Sequence, residues 1–283
     1  MVKVSVIVPT YNRAHLVTET IDSILSQTFR DFELIIVDNE SVDNTEEVIK
    51  SYRDERIRYF KHQNNGIIAV NRNYGISKAR GEYIAFCDDD DLWFPEKLEK
   101  QVQVMESDSQ IGLICTNEIV FDNKGDHGLT IRTRVRNSDF TFESLVWNNR
   151  VPNSTVMVRK AVLDDVGMMD ESPEIMAGED YELWLRIAKK YRLNYISLPL
   201  GKYRTHPGAY RKGPIKAQEQ SKLIYKKLVD EGILDTDLFN KRISKLNQEI
   251  LLIKFLTRTR TLRTALFIMQ LIRGLQRFIT GGK

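Results

Sequence analysis

The sequence predicts an α/β protein with a mostly parallel sheet, followed by a helical C-terminal region. Short runs rich in Val and Ile recur between residues 4 and 115, and each has the length of one strand. Between these runs, apolar residues recur with the spacing of one helix face. Strands that alternate with helices are typical of βαβ units, in which helices cover both faces of a parallel sheet.

The elements of the first half follow this alternation in order. Residues 4–8 are the first predicted strand, which ends at Pro9, and residues 16–25 have the apolar spacing of a helix. The remaining predicted strands are residues 32–37, 57–60, 83–87 and 111–115. The remaining predicted helices are residues 45–52 with Asn44 or Thr45 as the cap, residues 68–79, and residues 96–105 entered through Pro95.

The second half is less regular. The predicted strands are residues 130–135 and 155–158, and the predicted helices are residues 160–166, closed by Gly167, and residues 180–191. Pro207 and Gly213-Pro214 then interrupt the pattern. Residues 215–279 are predicted as a series of helices with breaks at Gly232 and Gly274. We therefore expect one domain over residues 1–212 and a helical region over residues 213–283.

Composition limits the classes to which the protein can belong. Of its 283 residues, 42% are hydrophobic and 29% are charged, which is typical of a globular protein rather than a disordered one. Cys87 and Cys115 lie in apolar runs, so we expect core residues in a reducing compartment. The sequence opens directly on a predicted strand, and it has no uncharged apolar run long enough to span a bilayer. These features predict a cytoplasmic protein.

Charge is distributed unevenly. The net charge of +3 argues against a dedicated nucleic-acid binder. Residues 250–283 hold seven of the 42 basic residues and none of the 39 acidic ones. Apolar residues recur there with helical spacing at Leu262, Leu266, Met269, Ile272, Leu275 and Ile279. Two interpretations stay open: contact with the inner surface of an anionic membrane, or packing on the α/β domain or in a homodimer.

Four consecutive aspartates, Asp88 to Asp91, follow directly on the apolar run 83–87. Like charges side by side raise one another's pKa and cost stability unless a cation neutralises them. Their oxygen atoms suit a hard divalent ion such as Mg²⁺ or Mn²⁺, which in turn can hold a diphosphate. From these residues alone, a solvated acidic turn or a helix N-cap is an equally good interpretation.

Two further polar clusters are predicted at the same edge of the sheet. Residues 9–12 follow the first strand, residues 38–41 follow the second, and the acidic run follows a later one. In a parallel sheet the carboxyl ends of these strands meet at one edge, where ligands bind. The three clusters together therefore favour a binding site over three unrelated turns.

The motifs "VSVIVPTYNR", "ELIIVDNESVDNT", "NRNYGISKARGEYIAFCDDDDLWFPEKLEKQV" and "GEDYELWLRIAKKY" resemble those of glycosyltransferase family 2. The resemblance extends over about residues 2–207, with the motifs in the family's order and spacing. It implies the GT-A fold and an inverting enzyme, which moves a sugar from a nucleoside diphosphate to a hydroxyl acceptor with Mg²⁺ or Mn²⁺. It also implies a glycan or lipid-linked acceptor in the synthesis of polysaccharides or glycolipids.

The resemblance implies a role for each donor-side residue. Asp90 corresponds to the metal ligand, and His206 to a residue that reaches the metal or the diphosphate. Asp88 and Asp89 compete for the contact with sugar and ribose, while Asp91 starts the next helix. The residues that correspond to the nucleotide pocket are Pro9, Thr10, Tyr11, Asn12, Asp38, Asn39 and Arg72.

Asn39 departs from the family pattern, in which this position is usually aspartate. An aspartate accepts a hydrogen bond from the base, whereas an asparagine accepts or donates. The donor is therefore predicted only as a UDP-, dTDP- or GDP-linked sugar. Asn39 as an Asx-turn residue is the alternative.

Asp180 corresponds to the catalytic base of the family. Inversion needs a carboxylate that takes the proton of the acceptor hydroxyl as this hydroxyl attacks. Glu179-Asp180 follows Gly178 at the start of a predicted helix, where an aspartate also serves as a cap. Trp184, one turn later, is interpreted as core packing or as an acceptor platform.

Two other functions remain as alternatives. A nucleotidyltransferase also binds metal at a parallel sheet, but it would need a Gly-rich phosphate loop that "VPTYNRAHL" lacks. A catalytically silent sugar-nucleotide binding protein would not need Asp88, Asp90 and Asp180 together. A nicotinamide dehydrogenase is disfavoured because the sequence has no G-x-G-x-x-G motif.

Overall fold

A computed structural model describes residues 2–131, 135–206 and 213–258. The chain separates into two compact units, Met1–Ala209 and Tyr210–Lys283. The first unit contains the sheet, and the described part of the second is helical. The predicted boundary after residue 212 stays a prediction.

The first unit is built on one mixed sheet. Its strands are β1 Val4–Thr10, β2 Phe32–Asp38, β3 Ile57–Lys61, β4 Tyr83–Phe86, β5 Leu92–Trp93, β6 Ile111–Asp122, β7 Gly125–Leu129, β8 Met157–Arg159 and β9 Arg192–Arg204. Their order is β3-β2-β1-β4-β8-β6-β9-β5, and β7 pairs with β6. Strands β1 to β4 are parallel, whereas β8 is antiparallel to both of its neighbours.

The helices are α1 Val17–Leu25, α2 Thr45–Ser51, α3 Ile68–Lys78, α4 Lys97–Ser107, α5 Phe142–Trp147, α6 Lys160–Val166, α7 Glu179–Lys190, α8 Pro214–Asp230 and α9 Thr236–Arg258. Helix α1 shows why such segments fold as they do. It buries Val17, Ile21 and Ile24 on one face. Those side chains join a core with β1, β2 and β4, whose residues are buried on both faces of the sheet.

The parallel register brings the polar strand ends together. Thr10 is paired with Asp38, and Ile7 with Phe86. The backbone N–H of Cys87 donates to the carbonyl of Ile7 at 3.1 Å, so the acidic run begins one residue beyond this bond. The three polar clusters therefore lie at one edge of the sheet, as the sequence predicts.

Strand β6 is longer than predicted, because it continues from the apolar residues 111–115 through Thr116, Asn117 and Glu118. These polar side chains are buried, so polarity did not mark the end of the strand. Strand β9 was not predicted, since Pro199 and Gly201 interrupt its apolar pattern. The short strands β5 and β7 were also not predicted.

Smaller predictions also differ from the structure. Thr130 and Ile131 follow β7 rather than forming a strand, and residues 132–134 lie outside the described residues. Thr155 belongs to a 3₁₀ turn, Asn153–Thr155, just before β8. Cys87 and Cys115 are both buried free thiols, which confirms their place in the core.

The second unit contains α8 and α9. Gly232 follows α8 with a φ of +70°, a left-handed conformation that glycine adopts easily, so the predicted break there is confirmed. The Gln218 amide donates to Glu249 at 3.1 Å and links the two helices. The predicted amphipathic segment 262–279 and the break at Gly274 lie outside the described residues. Among the helices that the structure describes, none is both long and apolar enough to cross a bilayer.

Gly75 fixes the distance between α3 and the sheet. A Cβ atom at this position would lie 2.7 Å from Cγ2 of Ile7. No real Cβ contact is that short, so an added methyl group would push α3 away from β1.

We expect Gly75→Ala to lower the free energy of unfolding by about 1–3 kcal/mol, because overpacking strains the helix–sheet contact. Urea denaturation would measure the loss. Ser77→Ala, at an exposed position of the same helix, is the matched control and should change stability by less than about 0.5 kcal/mol. Equal stabilities of the two variants would contradict the close contact.

Candidate active site

The four aspartates of the acidic run have four different environments. Asp88, Asp89 and Asp90 are partly exposed, whereas Asp91 is only 1% exposed. The loop that carries them joins β4 to β5. Because their partners differ, the residues are not interchangeable.

Asp91 ties the loop to the rest of the fold. Its carboxylate accepts hydrogen bonds from the Ser154 hydroxyl at 2.5 Å and from the backbone N–H of Arg204 at 2.8 Å. Its carbonyl accepts from the Thr20 hydroxyl at 2.9 Å. Burial, with the neighbouring charges of Asp88 and Asp90, raises the pKa of Asp91 well above its usual range. The prediction that Asp91 starts a helix is wrong, since α4 is capped by Glu96.

Asp88 is held from two sides. Its Oδ1 atom accepts from Nη2 of Arg72 at 2.7 Å and from Nδ2 of Asn153 at 3.1 Å. Its backbone N–H donates to the Ser154 hydroxyl at 3.1 Å. The Asn153–Thr155 turn thus fixes both Asp88 and Asp91. Of its residues, only Thr155 belongs to the predicted strand 155–158.

Asp89 faces the loop after β1. The Thr10 hydroxyl donates to its Oδ2 at 2.6 Å, and Nε of Arg13 lies 3.5 Å from its Oδ1. Burial raises the pKa of Asp89 to about 7, with a further contribution from Asp90. This contact joins the first and third polar clusters.

Asp90 and His206 form a close pair. Nε2 of His206 lies 2.8 Å from Oδ2 of Asp90, and Nε of Arg204 donates to the Asp90 carbonyl at 2.8 Å. Burial, followed by the charge of Asp88, raises the pKa of Asp90. An imidazole nitrogen and a carboxylate oxygen are both suitable ligands for Mn²⁺. Among the described residues, no group of three His, Cys, Asp or Glu side chains is arranged to hold a metal ion by itself.

Asp38 is fully buried at the end of β2. Its Oδ1 accepts from the backbone N–H and the hydroxyl of Ser41, and its Oδ2 accepts from the Tyr59 hydroxyl at 2.6 Å. Asn39 lies beside it, where its Oδ1 accepts from the backbone N–H of Asn64 at 2.8 Å. Tyr59 and Asn64 were not predicted as site residues. They contact Asp38 and Asn39 only because β3 pairs with β2 in the folded sheet.

The loop after β1 has a constrained shape. Asn12 has a φ of +52°, and its side-chain oxygen accepts from the backbone N–H of Val42 at 2.9 Å. Pro9 lies within β1, paired with Val37. Tyr11, between these two residues, is 51% exposed and presents its ring at the rim. The first two polar clusters therefore form one connected surface.

Asp180 lies in the first turn of α7. Its Oδ1 accepts from the backbone N–H of Tyr181 at 2.7 Å, which fixes the carboxylate. Burial and the neighbouring charge of Glu179 raise the pKa of Asp180 to about 6, while Arg72 acts in the opposite direction. The residue before Gly178, Ala177, has a φ of +59°, a costly conformation for a side chain with a Cβ.

Arg72 lies between this helix and the acidic run. Its Nη1 donates to Glu179 and its Nη2 to Asp88, each at 2.7 Å. Its Nε has no hydrogen-bond partner within the described part of the chain. The prediction that Arg72 faces a diphosphate stays a prediction, and the bridge to Glu179 was not foreseen.

Trp184 is fully buried and packs against Phe86, with ring centroids 6.0 Å apart. This position supports the interpretation as core packing rather than as an acceptor platform. Behind the acidic run lie two further buried groups that the sequence did not single out. Burial moves the pKa of both Lys97 and Glu118 to about 7.

Sequence comparisons relate the chain to known transferases. The glycosyl transferase family 2 model matches residues 5–167. An uncharacterized glycosyltransferase of Rickettsia bellii is 36% identical over 203 residues, which cover 71% of the chain and 29% of the relative. The chain spans about a third of the length of this relative and of those from Rickettsia felis and Rickettsia conorii.

A second relative carries a more specific name. The UDP-Glc:alpha-D-GlcNAc-diphosphoundecaprenol beta-1,3-glucosyltransferase WfgD of Escherichia coli is 29% identical over 215 residues. The match covers 71% of the chain and 81% of that protein.

Solved structures share the fold. Residues 1–349 of S. aureus TarS in complex with UDP-GlcNAc superpose with a TM-score of 0.66 at 21% identity, covering 86% of the chain and 71% of that fragment. The mannosyltransferase PcManGT of Pyrobaculum calidifontis, in complex with GDP-Man and Mn²⁺, gives a TM-score of 0.63 at 21% identity, covering 88% and 69%. The predicted GT-A fold with a helical C-terminal region is confirmed.

The motifs of the first unit, the match to the family model over more than half of the chain and the identity to the Rickettsia relative agree. The chain belongs to glycosyltransferase family 2.

Proposed function

We propose that the protein is an inverting, metal-dependent glycosyltransferase that moves a sugar from a nucleoside diphosphate to a hydroxyl acceptor. One observation carries this proposal: Asp180, a carboxylate with a pKa of about 6, directly follows Glu179, and a single buried guanidinium joins Glu179 to the acidic run at the sheet edge. A base and a carboxylate that can help to hold a metal ion, in one site, are the parts that inverting sugar transfer needs.

The donor would lie along the sheet edge. Thr10, Tyr11, Asn12, Asp38 and Asn39 form the connected surface on which we place the nucleoside, with Tyr11 as the exposed ring. Asp89 accepts a hydrogen bond from Thr10 of that surface. Asp89 and its neighbour Asp88 are assigned to the sugar and ribose. The base stays open among uracil, thymine and guanine, since the structural neighbours bind UDP-GlcNAc and GDP-Man.

Asp90 and His206 are the residues that fit a divalent metal ion. Their side chains supply an oxygen and a nitrogen 2.8 Å apart, and both are partly exposed. When bound, Mn²⁺ or Mg²⁺ would neutralise the charge that develops on the departing diphosphate. The remaining ligands would come from the diphosphate and water.

Asp180 is proposed to act on the acceptor. One of its oxygen atoms is held by the backbone N–H of Tyr181, so its other oxygen is the one assigned to take the proton of the acceptor hydroxyl. The hydroxyl oxygen then forms its bond to the anomeric carbon while the bond to the diphosphate breaks. With a pKa of about 6, the carboxylate is ionised at neutral pH and is more basic than an ordinary aspartate.

The acceptor class is a proposal from relatives. WfgD is named for a diphosphoundecaprenol-linked sugar acceptor. A glycan or lipid-linked hydroxyl in polysaccharide or glycolipid synthesis is the corresponding acceptor here. Peripheral membrane contact, a homodimer and a cytoplasmic location stay predictions.

Asp180→Asn should keep donor binding and lower transfer by about 10²–10⁴-fold, because the amide cannot take the proton. Donor binding would be followed by thermal shift with UDP-, dTDP- and GDP-sugars plus Mn²⁺, and transfer by release of the nucleoside diphosphate. The melting temperature of this variant should not fall. Folding raises the pKa of Asp180, so the ionised Asp180 carboxylate lowers the free energy of unfolding progressively as the pH rises from about 4 to about 6. The amide of the variant has no such cost.

Asp165→Asn is the control for this experiment, since Asp165 is a surface residue paired with Lys190. It should transfer sugar at the wild-type rate. Wild-type transfer by Asp180→Asn would exclude Asp180 as the base. Donor binding without transfer by the wild-type protein would favour a silent sugar-nucleotide binding protein.

Ser154→Ala should weaken donor binding as well as stability. It leaves the backbone N–H of Asp88 and the carboxylate of Asp91 without one partner each, at a cost of about 1–3 kcal/mol in unfolding free energy. Titration with the donor and Mn²⁺ would measure the rise in dissociation constant. Ser107→Ala, at an exposed position, is the control. Unchanged donor affinity would show that the acidic run keeps its shape without this hydroxyl.

A further inference from the structure

We propose that Arg72 and Glu179 are positioning residues that form a buried bridge holding the base Asp180 in place against the donor-binding residue Asp88. The inference rests on the proposed function. It assigns a role to Glu179, which neither touches the donor surface nor lies among the predicted site residues.

The bridge consists of three charged side chains, two from helices and one from the loop after β4. Arg72 on α3 donates from Nη2 to Asp88, which follows β4, and from Nη1 to Glu179 on α7, both at 2.7 Å. The side chains of Arg72 and Glu179 are 5% and 3% exposed. In this low-dielectric setting the bonds have little competition from water. A rigid planar guanidinium fixes the relative direction of its two partners, which a lysine would not do.

Glu179 transmits this position to the start of α7. Its second oxygen, Oε2, accepts from the backbone N–H of Gly178 at 2.9 Å. The Glu179 carboxylate therefore binds both the backbone of the residue before α7 and the guanidinium of Arg72. Asp180 is the next residue, so its carboxylate takes its location from this turn.

A second contact from α3 supports the same segment. The Asn73 amide donates to the carbonyl of Met169 at 2.8 Å, and the backbone N–H of Met169 donates back to Asn73 at 3.0 Å. Arg72 and Asn73 together fasten the chain that leads into α7. Gly75 allows α3 to pack directly on β1. The position of Asp180 is therefore fixed relative to β1, the strand that precedes the donor-binding loop.

The bridge also sets the charge around Asp180. The charged groups that face it are Glu179 on its own helix, Arg72 on α3 and Asp88 after β4. Glu179 and Asp88 raise the pKa of Asp180, and Arg72 lowers it. Removing the charge of Glu179 should therefore lower the pKa of Asp180, and removing the charge of Arg72 should raise it.

The test is the pH dependence of kcat/KM for the full-length protein, with the nucleotide-sugar and Mn²⁺. The wild-type acidic limb should lie near pH 6. Glu179→Gln should move it to lower pH and reduce kcat about tenfold to a hundredfold, with the donor KM changed by less than about threefold, since misplacement affects the reacting geometry. Arg72→Gln should move the limb to higher pH.

Glu33→Gln is the matched control. Glu33 is also a buried carboxylate that binds an arginine, Arg58, at 2.6 Å and accepts a backbone N–H, that of Arg80, at 2.7 Å. It lies near the start of β2, away from the carboxyl end of the strand. It should lower the melting temperature as Glu179→Gln does and leave the limb in place.

Two outcomes would overturn the bridge: an acidic limb of Glu179→Gln at the wild-type pH, or a kcat equal to that of Glu33→Gln. If Arg72→Gln does not fold, Glu179→Gln alone decides, since Gln preserves the shape of the side chain. These results differ from failure of the proposed function. That failure would appear as a wild-type protein without transfer activity, or as an active Asp180→Asn variant.

Discussion

The site depends on the way in which one buried guanidinium is shared between two carboxylates. Arg72 is almost fully buried, and burial by itself lowers its pKa. The charges of Asp88, Glu179 and Asp180 outweigh this effect, so the pKa of Arg72 is raised. Each of these carboxylates would be costly to bury alone. The guanidinium makes their proximity possible, and therefore both halves of the proposed reaction are assembled around a single side chain of α3.

The acidic run illustrates how like charges are accommodated at a sheet edge. Each aspartate has its own hydrogen-bond partner: Asp88 an arginine, Asp89 a threonine hydroxyl, Asp90 a histidine, and Asp91 a serine hydroxyl together with a backbone N–H. The pKa values of the last three are nevertheless raised, chiefly by burial. A bound cation would relieve this cost, so the energetics of the loop favour the metal and diphosphate that we place there.

The local sequence pattern was sufficient to predict most of the fold and the location of the site. The strands β1, β2 and β4 were predictable because they consist mostly of buried apolar residues, and parallel pairing then places residues 10, 38 and 88 at one edge. Strand β9 was not predictable, since Pro199 and Gly201 disturb its pattern. The roles of Ser154 and Glu179 were not predictable either. They arise from contacts between segments far apart in sequence, which no local pattern encodes.

The central claim is that the acidic run holds a metal-bound nucleoside diphosphate in front of Asp180. The most direct measurement is the anomalous diffraction of Mn²⁺ in crystals grown with the nucleoside diphosphate. The account predicts one strong peak within ligand distance of Asp90 and His206, next to the bound diphosphate. A nucleotide bound at this edge with its manganese away from Asp90, or a nucleotide bound elsewhere on the protein, would contradict it.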